Sequence, residues 1–522
     1  MISTLLATFL VFGVLLLYYR FSFNRRRLPP GPKSFPLIGN LWDVPAEYPW
    51  RTYAQWTATY GDILYLDTPG NPTVILNSAQ AAADLFEKRS RNYSDRPDFT
   101  MMKLAGWRNI IGFMRYSDQW RQVQPCPRRC SLTSLHRMRR RMFHQHFNLR
   151  AVAAYYPVQM KATSVLLQQL HKSPDALVNH VRHHAGSIIM KIVYGYDVDP
   201  DGDQFVDLVD RAMESARIAG NEGAFVVDYI PSLKYLPRWF PGANFLNLAH
   251  VWSQDVWNMK QSPFEYASKA LANGHASSSL VSENLTKMKQ FGASENATQL
   301  EIIRDTAGVA FGAGTDTTVS VVLATMLAFL LYPEVQAKAQ AELDAVVGPT
   351  RLPNFEDRPR LPYIEAILSE ALRWNPVVPM GMAHRSVQDD VYGGYYIPAG
   401  ATIVGNVWAM LHDEKDYPNP FTFDPDRFMS AEGKEPQLYP MVAFGFGRRI
   451  CPGRYVASNT AWIAIASMAS TSTFTKAVDS EGRVVEPSTT FTDGFLSFPL
   501  PFKCTIKARS TRAQALIDSG GL

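Results

Sequence analysis

The stretch Phe444-Gly445-Phe446-Gly447-Arg448-Arg449-Ile450-Cys451-Pro452-Gly453-Arg454 lies directly before an apolar helical run, Tyr455 to Thr471, and narrows the possible folds more than any other part of the chain. Glycines let a backbone fold closely around one side chain, and a helix starting just after Cys451 aims its partial positive end at the sulfur. Both effects favour a thiolate, the form of cysteine that ligates metals, and Arg448 and Arg449 add positive charge. The plainer alternative is a buried free cysteine beside a glycine turn. A nucleotide loop is a poor match: no third glycine follows Gly445 and Gly447 at dinucleotide spacing, and no Lys-Ser/Thr follows.

Two further patterns carry chemistry. Ala313-Gly314-Thr315-Asp316-Thr317-Thr318 sits inside a long apolar segment, about Asp305 to Leu331, that reads as a helix. A mid-helix hydroxyl bonds the carbonyl four residues back, so Thr317 competes for the Ala313 carbonyl, and Gly314 removes bulk beside it. Together with Asp316 this makes a groove suited to proton delivery, unless the polar residues simply face solvent. Glu370-Ala371-Leu372-Arg373 puts a carboxylate and a guanidinium on one helical face; alone, such a pair is usually exposed and contributes a few tenths of a kcal/mol.

The first pattern resembles the haem-binding signature of the cytochromes P450, Phe-x-x-Gly-x-Arg-x-Cys-x-Gly, at every fixed position, and the other landmarks recur in that family's order across nearly the whole chain. The resemblance implies a mainly α fold with a small β part and a long central helix over the haem. It implies haem b with Cys451 as axial iron ligand, and Phe444, Arg449 and Arg385 beside the cofactor, the arginines at its propionates. It further implies Asp316 and Thr317 as the acid–alcohol pair for oxygen activation, and Glu370, Arg373 and Arg427 (the last in Phe423-Asp424-Pro425-Asp426-Arg427-Phe428) as a buried structural triad.

Elsewhere the chain is mostly helical, with amphipathic stretches at Tyr332–Val347 and Tyr363–Trp374. Ile63–Leu76 alternates and breaks at Pro69-Gly70-Asn71-Pro72, a hairpin, and Val391–Val404 reads as short strand around Pro398-Ala399-Gly400. Four cysteines, Cys126, Cys130, Cys451 and Cys504, are too few for a disulfide framework in 522 residues, and a net charge of +5 gives no case for nucleic-acid binding. Residues 2–19 are apolar and long enough to cross a bilayer, and Arg20, Arg25, Arg26 and Arg27 follow. This order predicts a signal anchor (1–19) with the body on the cytosolic side, and a cleaved signal peptide fits less well because the charges follow the apolar run. A basic, proline-rich spacer (20–32) and one catalytic domain (33–522) complete the layout. By resemblance the membrane is the endoplasmic reticulum, single-pass, which would leave the sequons at Asn92, Asn284 and Asn296 unglycosylated.

One segment departs from the family. The Trp-x-x-x-Arg element that supplies propionate ligands begins at Trp120-Arg121 and is then interrupted by Gln122–Arg137, with Pro125, Pro127, Cys126 and Cys130, before Met138-Arg139-Arg140. Removing that stretch restores the spacing, with Arg140 as the partner of Trp120. Two prolines break a helix, at about 3 kcal/mol each, so Gln122–Arg137 is either a retained intron or a loop spliced into that helix. A zinc site from Cys126, Cys130 and nearby histidines matches no familiar spacing.

The reaction so implied is a monooxygenation that uses O2 to hydroxylate or epoxidise a lipophilic small molecule, such as a terpenoid, a steroid-like compound or a polycyclic aromatic. Nothing in the chain resembles a flavin or nicotinamide domain, so electrons are expected from a separate NADPH-cytochrome P450 reductase. By resemblance, 101–113, 225–229, Ala310-Phe311, 377–382 and 495–498 line the substrate pocket. Two alternatives stay open: a haem-binding but inactive relative, because of the insertion, and a non-oxygenating haem-thiolate isomerase or dehydratase.

Overall fold

The computed structural model describes residues 27–108, 110–115, 132–200, 202–221, 223–288, 293–431, 433 and 435–520, and the side chains of 132–137 and 293–296 lie outside that description. The expected anchor (1–19), Trp120, Cys126 and Cys130 therefore lie outside the described residues.

The body is helical. In chain order its longer helices are α1 (Pro49–Tyr60), α2 (Leu132–Phe147), α3 (Tyr156–Lys172), α4 (Leu177–Tyr194), α5 (Gln204–Ala219), α6 (Asn244–Ala272), α7 (Leu280–Met288), α8 (Ala293–Leu331), α9 (Pro333–Val346), α10 (Pro362–Trp374), α11 (Arg454–Thr471) and α12 (Thr511–Asp518). Local chemistry sets several ends. Pro333 and Pro362 open α9 and α10, where a missing amide leaves no bond unmade. Asp203 caps α5 by accepting from the Phe205 amide, and Gly195 closes α4 in the left-handed region at φ 71°.

Helix α8 is the axis, packing along α4, α6 and α11. Its 297–331 portion is apolar and long enough to cross a membrane, yet it is the core helix here, buried over most of its length. It begins at Ala293, well before the expected Asp305, because the polar turns around Gln299 and Glu301 carry no apolar period but still extend the helix. The buried Arg139 guanidinium donates to Asp305 at 2.7 Å and ties α2 to α8. Residues 132–137, the tail of the unexpected insertion, continue as the opening turns of α2, so Arg139 and Arg140 keep a helical frame.

The β part stands beside the helices. The expected hairpin forms as β1 (Ile63–Leu66) against β2 (Thr73–Leu76). The region of Val391–Val404 divides between two sheets. β4 (Asp390–Tyr392) pairs with β5 (Tyr395–Ile397), whereas β6 (Thr402–Gly405) runs parallel to β2 and antiparallel to β3 (His384–Arg385), giving the order β1-β2-β6-β3. A last pair, β7 (Ser472–Lys476) and β8 (Cys504–Ala508), follows α11.

Candidate functional site

Cys451 lies at the head of α11, after a loop that only glycine permits. Gly447 has φ +47°, and a Cβ there would fall 2.3 Å from the Phe86 carbonyl. The Cys451 amide donates to the Phe444 carbonyl at 2.8 Å and fixes the loop around the sulfur, while a Cβ on Gly453 would stand 4.0 Å from Cys451 Sγ. Burial pushes the thiol pKa up. The Gly453 and Arg454 amides and the Arg454 and Arg140 guanidiniums pull it down, so the surroundings hold what a thiolate needs once a cation is bound. Phe444 stacks on Tyr439 with centroids 6.3 Å apart, and Arg140 donates to the Ile450 carbonyl at 3.4 Å.

Beside this loop is a basic cluster. Arg449 donates to the Ser94, Ile111 and Met114 carbonyls at 2.8, 3.1 and 2.8 Å. Arg96, which the sequence patterns did not single out, is fully buried and donates to the Gly112, Met382 and Ala383 carbonyls. Burial and then the Arg449 charge drive its pKa well down. Arg115 and Arg385 approach the buried Asp95 carboxylate at 3.2 and 3.8 Å, and Arg385 also donates to the Gly400 carbonyl while staying partly exposed. His384 is the buried member of that strand: its ring stacks on Phe86 at 4.1 Å and its Nδ1 lies 2.6 Å from the Tyr93 carbonyl. Two arginines thus flank one carboxylate, with Arg96 and Arg449 electrostatically coupled beside them, a placement that suits a group carrying further negative charge.

On α8, Ala313 is exposed in the middle of a buried helix, and Val309 and Thr317, one turn to either side, are only partly covered. Gly314, expected to open this stripe, instead lets α4 pack closely, since a Cβ there would meet Ile189 at 2.9 Å. Thr317 Oγ1 donates to the Ala313 carbonyl at 2.8 Å, as expected. Asp316 points away from the stripe: it is buried and accepts from Arg217 Nε of α5 at 3.0 Å, with Arg217 also bound to Asp210. Burial raises the Asp316 pKa and Arg217 opposes it. That partner lies on a distant helix, which no local pattern reveals.

The structure brings Glu370, Arg373 and Arg427 together. Arg373 is bidentate to Glu370 at 2.6 and 2.7 Å, both side chains are wholly buried, and Arg427 Nε stands 3.5 Å from Glu370. Arg373 and Arg427 also bind the carbonyls of Leu411, Thr422 and Asn419. Of the remaining expected residues, Trp120 lies outside the described part. Of the segments expected to line a pocket, Phe113 meets Phe495 at 6.4 Å and also Phe99 at 5.9 Å, and Met382 lies against Gly112.

The cytochrome P450 family profile matches residues 29–506. The chain is 39% identical to cytochrome P450 monooxygenase 208 of Postia placenta, with 98% of this chain and 96% of the relative covered. It is 41% identical to a cytochrome P450 monooxygenase of Armillaria gallica over 97% of both, and 40% identical to the tryptamine 4-monooxygenase of Psilocybe cyanescens over 93% and 94%.

Proposed function

The chain belongs to the cytochrome P450 family of haem-binding oxidoreductases, and on that premise we propose that the Cys451 thiolate would hold the iron of haem b in a monooxygenase acting on a lipophilic small molecule. Members of the family use O2 and a redox partner and act on small molecules. When bound, haem supplies the oxygen-activating redox chemistry, which a thiolate ligand strengthens by donating electron density.

The described residues fit that group. The observation that carries the reading is the Cys451 cradle, in which amide donors and the Arg454 and Arg140 charges surround a sulfur at a helix head. Arg449 and Arg96, beside Asp95, Arg115 and Arg385, supply cations for two propionates, and Phe444 walls the sulfur side. Arg140 fits the place of the family's helical arginine, and we assign Trp120 as its partner.

Thr317 is assigned to hold a proton at Oγ1 over the open stripe of α8, and Asp316 to replace it. Asp316 meets that role only when it leaves Arg217, so Arg217 positions the acid. Glu370, Arg373 and Arg427 hold the segment before the Cys451 loop. An aromatic and thioether wall of Phe99, Phe113, Phe495 and Met382 supports a terpenoid or planar aromatic substrate. An NADPH-cytochrome P450 reductase and a single anchor (1–19) in the endoplasmic reticulum membrane, ahead of a spacer (20–32) and one catalytic domain (33–522), complete the proposal. It is supported by the apolar 2–19 stretch and the arginines behind it.

The test is reconstitution with that reductase, NADPH and 18O2 against a panel of sesquiterpenes and polycyclic aromatics. The expected product carries one 18O atom; NADPH-dependent isomerisation or dehydration without label would overturn the oxygenase assignment.

A further inference from the structure

Helix α2 turns one face inward, made by Arg139, Met142, Phe143, His146 and Phe147, at the spacing that puts residues on the same side of a helix. The far half of that face is held by packing. Phe143 lies against Phe147 at 5.6 Å and Phe147 against Tyr155 at 6.5 Å, and Asn284 Nδ2 of α7 stands 2.9 Å from His146 Nε2. The near end is held by a charge. Buried Arg139 donates through Nη2 to Asp305 Oδ2 of α8 at 2.7 Å, with Nη1 at 3.6 Å from Met114 Sδ.

Asp305 is fixed from its other side. Lys260 of α6 crosses α8 at Gly308, where a Cβ would fall 2.5 Å from the lysine Cγ, and its Nζ comes within 3.7 Å of Asp305 Oδ1 and 3.4 Å of the Gly106 carbonyl. Arg304 Nε lies 4.0 Å from the same carboxylate oxygen. One oxygen of Asp305 thus faces α2 and the other faces α6. Arg140 follows Arg139 about 100° around the helix axis, and it reaches the Cys451 loop at the Ile450 carbonyl, 3.4 Å away. A helix held through Arg139 cannot roll without carrying Arg140 off that loop. The chain itself does not set this angle, because Gln122–Arg137 separates Trp120 from Arg140.

We propose that Asp305 is a positioning residue for the cofactor face: through Arg139 it sets the roll of α2 and so holds Arg140 where a haem propionate would meet it. The role rests on the haem-thiolate reading of the site, because Arg140 has a propionate to bind only there. A buried, hydrogen-bonded charge pair suits the task, since either partner left alone in the interior is strongly unfavourable and the geometry is held accordingly.

The test is the ferric/ferrous midpoint potential of the holoprotein, read by spectroelectrochemistry in Asp305→Asn, Arg140→Gln and the double variant. A cation at a propionate favours the reduced haem, so Arg140→Gln lowers the potential, and Asp305→Asn is expected to lower it as well because Arg140 leaves its place. The sign is diagnostic, since the direct effect of losing a negative charge is to raise the potential. The double variant should fall no lower than Arg140→Gln alone. A raised or unchanged potential in Asp305→Asn, or shifts that add in the double variant, would overturn the role. Should Asp305→Asn not fold, Arg139→Met, which leaves Asp305 with Lys260 and Arg304, is read in the same cycle with Arg140→Gln. Hydrogen exchange gives a reading that needs no haem: amides of 138–141 are expected to exchange about tenfold faster in Asp305→Asn, while those of 142–147 are unchanged. Exchange equal to wild type at 138–141 would overturn the anchor. Wild-type protein without the spectrum of a thiolate-ligated haem would instead contradict the haem reading, with exchange still deciding the anchor.

Discussion

The Cys451 side of the molecule and the helical segment at residues 100–107 are held by different means. Around Cys451, the loop is set by a glycine that no other residue can replace and backed by a fully buried Glu370–Arg373 pair with Arg427. Around residues 100–107, a helix of eight residues is capped from another segment by one carboxylate, Asp228. Buried paired charges are costly to break, at several kcal/mol, whereas loss of a single cap costs about 1 kcal/mol.

That contrast breaks first at Glu370. Glu370→Ala leaves Arg373 and Arg427 buried without their carboxylate, at about 3–5 kcal/mol, a large share of a typical domain's stability. Thermal unfolding of the purified protein is expected to show a collapse in midpoint with loss of bound haem. An unchanged midpoint would mean that the triad does not hold the Cys451 side.

Cys451→Ser should leave the fold intact, since the swap nearly preserves volume, but remove the thiolate signature completely. The absorbance of the reduced, carbon monoxide-treated variant together with its circular dichroism checks both halves of that statement.

Thr317→Ala removes the hydroxyl on the open stripe and is expected to lower product formed per NADPH by about 10²-fold, in the range for loss of a positioned proton donor. Serine at that position should restore most of it. An alanine variant as well coupled as wild type would return Thr317 to the role of a tolerated helix residue.

The smallest effect is a pH dependence at Asp228. Burial pushes its pKa up to about 6 from an ordinary 3.8, against the Met101 and Thr100 amides it caps. A pKa raised in the folded state contributes stability that is fully present below about pH 4 and is lost as pH rises through 6. The thermal midpoint should accordingly fall slightly between pH 5 and 7, and Asp228→Asn should flatten the profile. A steep dependence in the Asn variant would assign it to another group.

The same contrast governs what the sequence makes legible. Cys451, Thr317, Glu370 and Arg373 each lie in a contiguous motif whose chemistry follows from spacing along one helix or loop, and Arg427 came in by resemblance to a further segment. Arg96, Arg217 and Asp228 act through partners far along the chain, at Met382 and Ala383, at Asp316, and at Met101. No periodicity marks such residues. His384 was visible beside Arg385, but only the pairing of β3 with β6 and the Phe86 ring show which of the two is buried. Apolar period places the start of α8 near Asp305, whereas the helix begins at Ala293 because its first turns are polar. The Gln122–Arg137 interruption reads as a retained intron or a loop spliced into the helix, whereas residues 132–137 open α2.

The most direct test of the central assignment is the carbon monoxide difference spectrum of the reduced full-length protein, recorded beside a form lacking Gln122–Arg137. The expected result is the red-shifted Soret band of a thiolate-ligated haem in the full-length chain, because α2 carries Arg140 to the Cys451 loop despite the inserted residues. A spectrum without that band in either form would contradict Cys451 as the iron ligand.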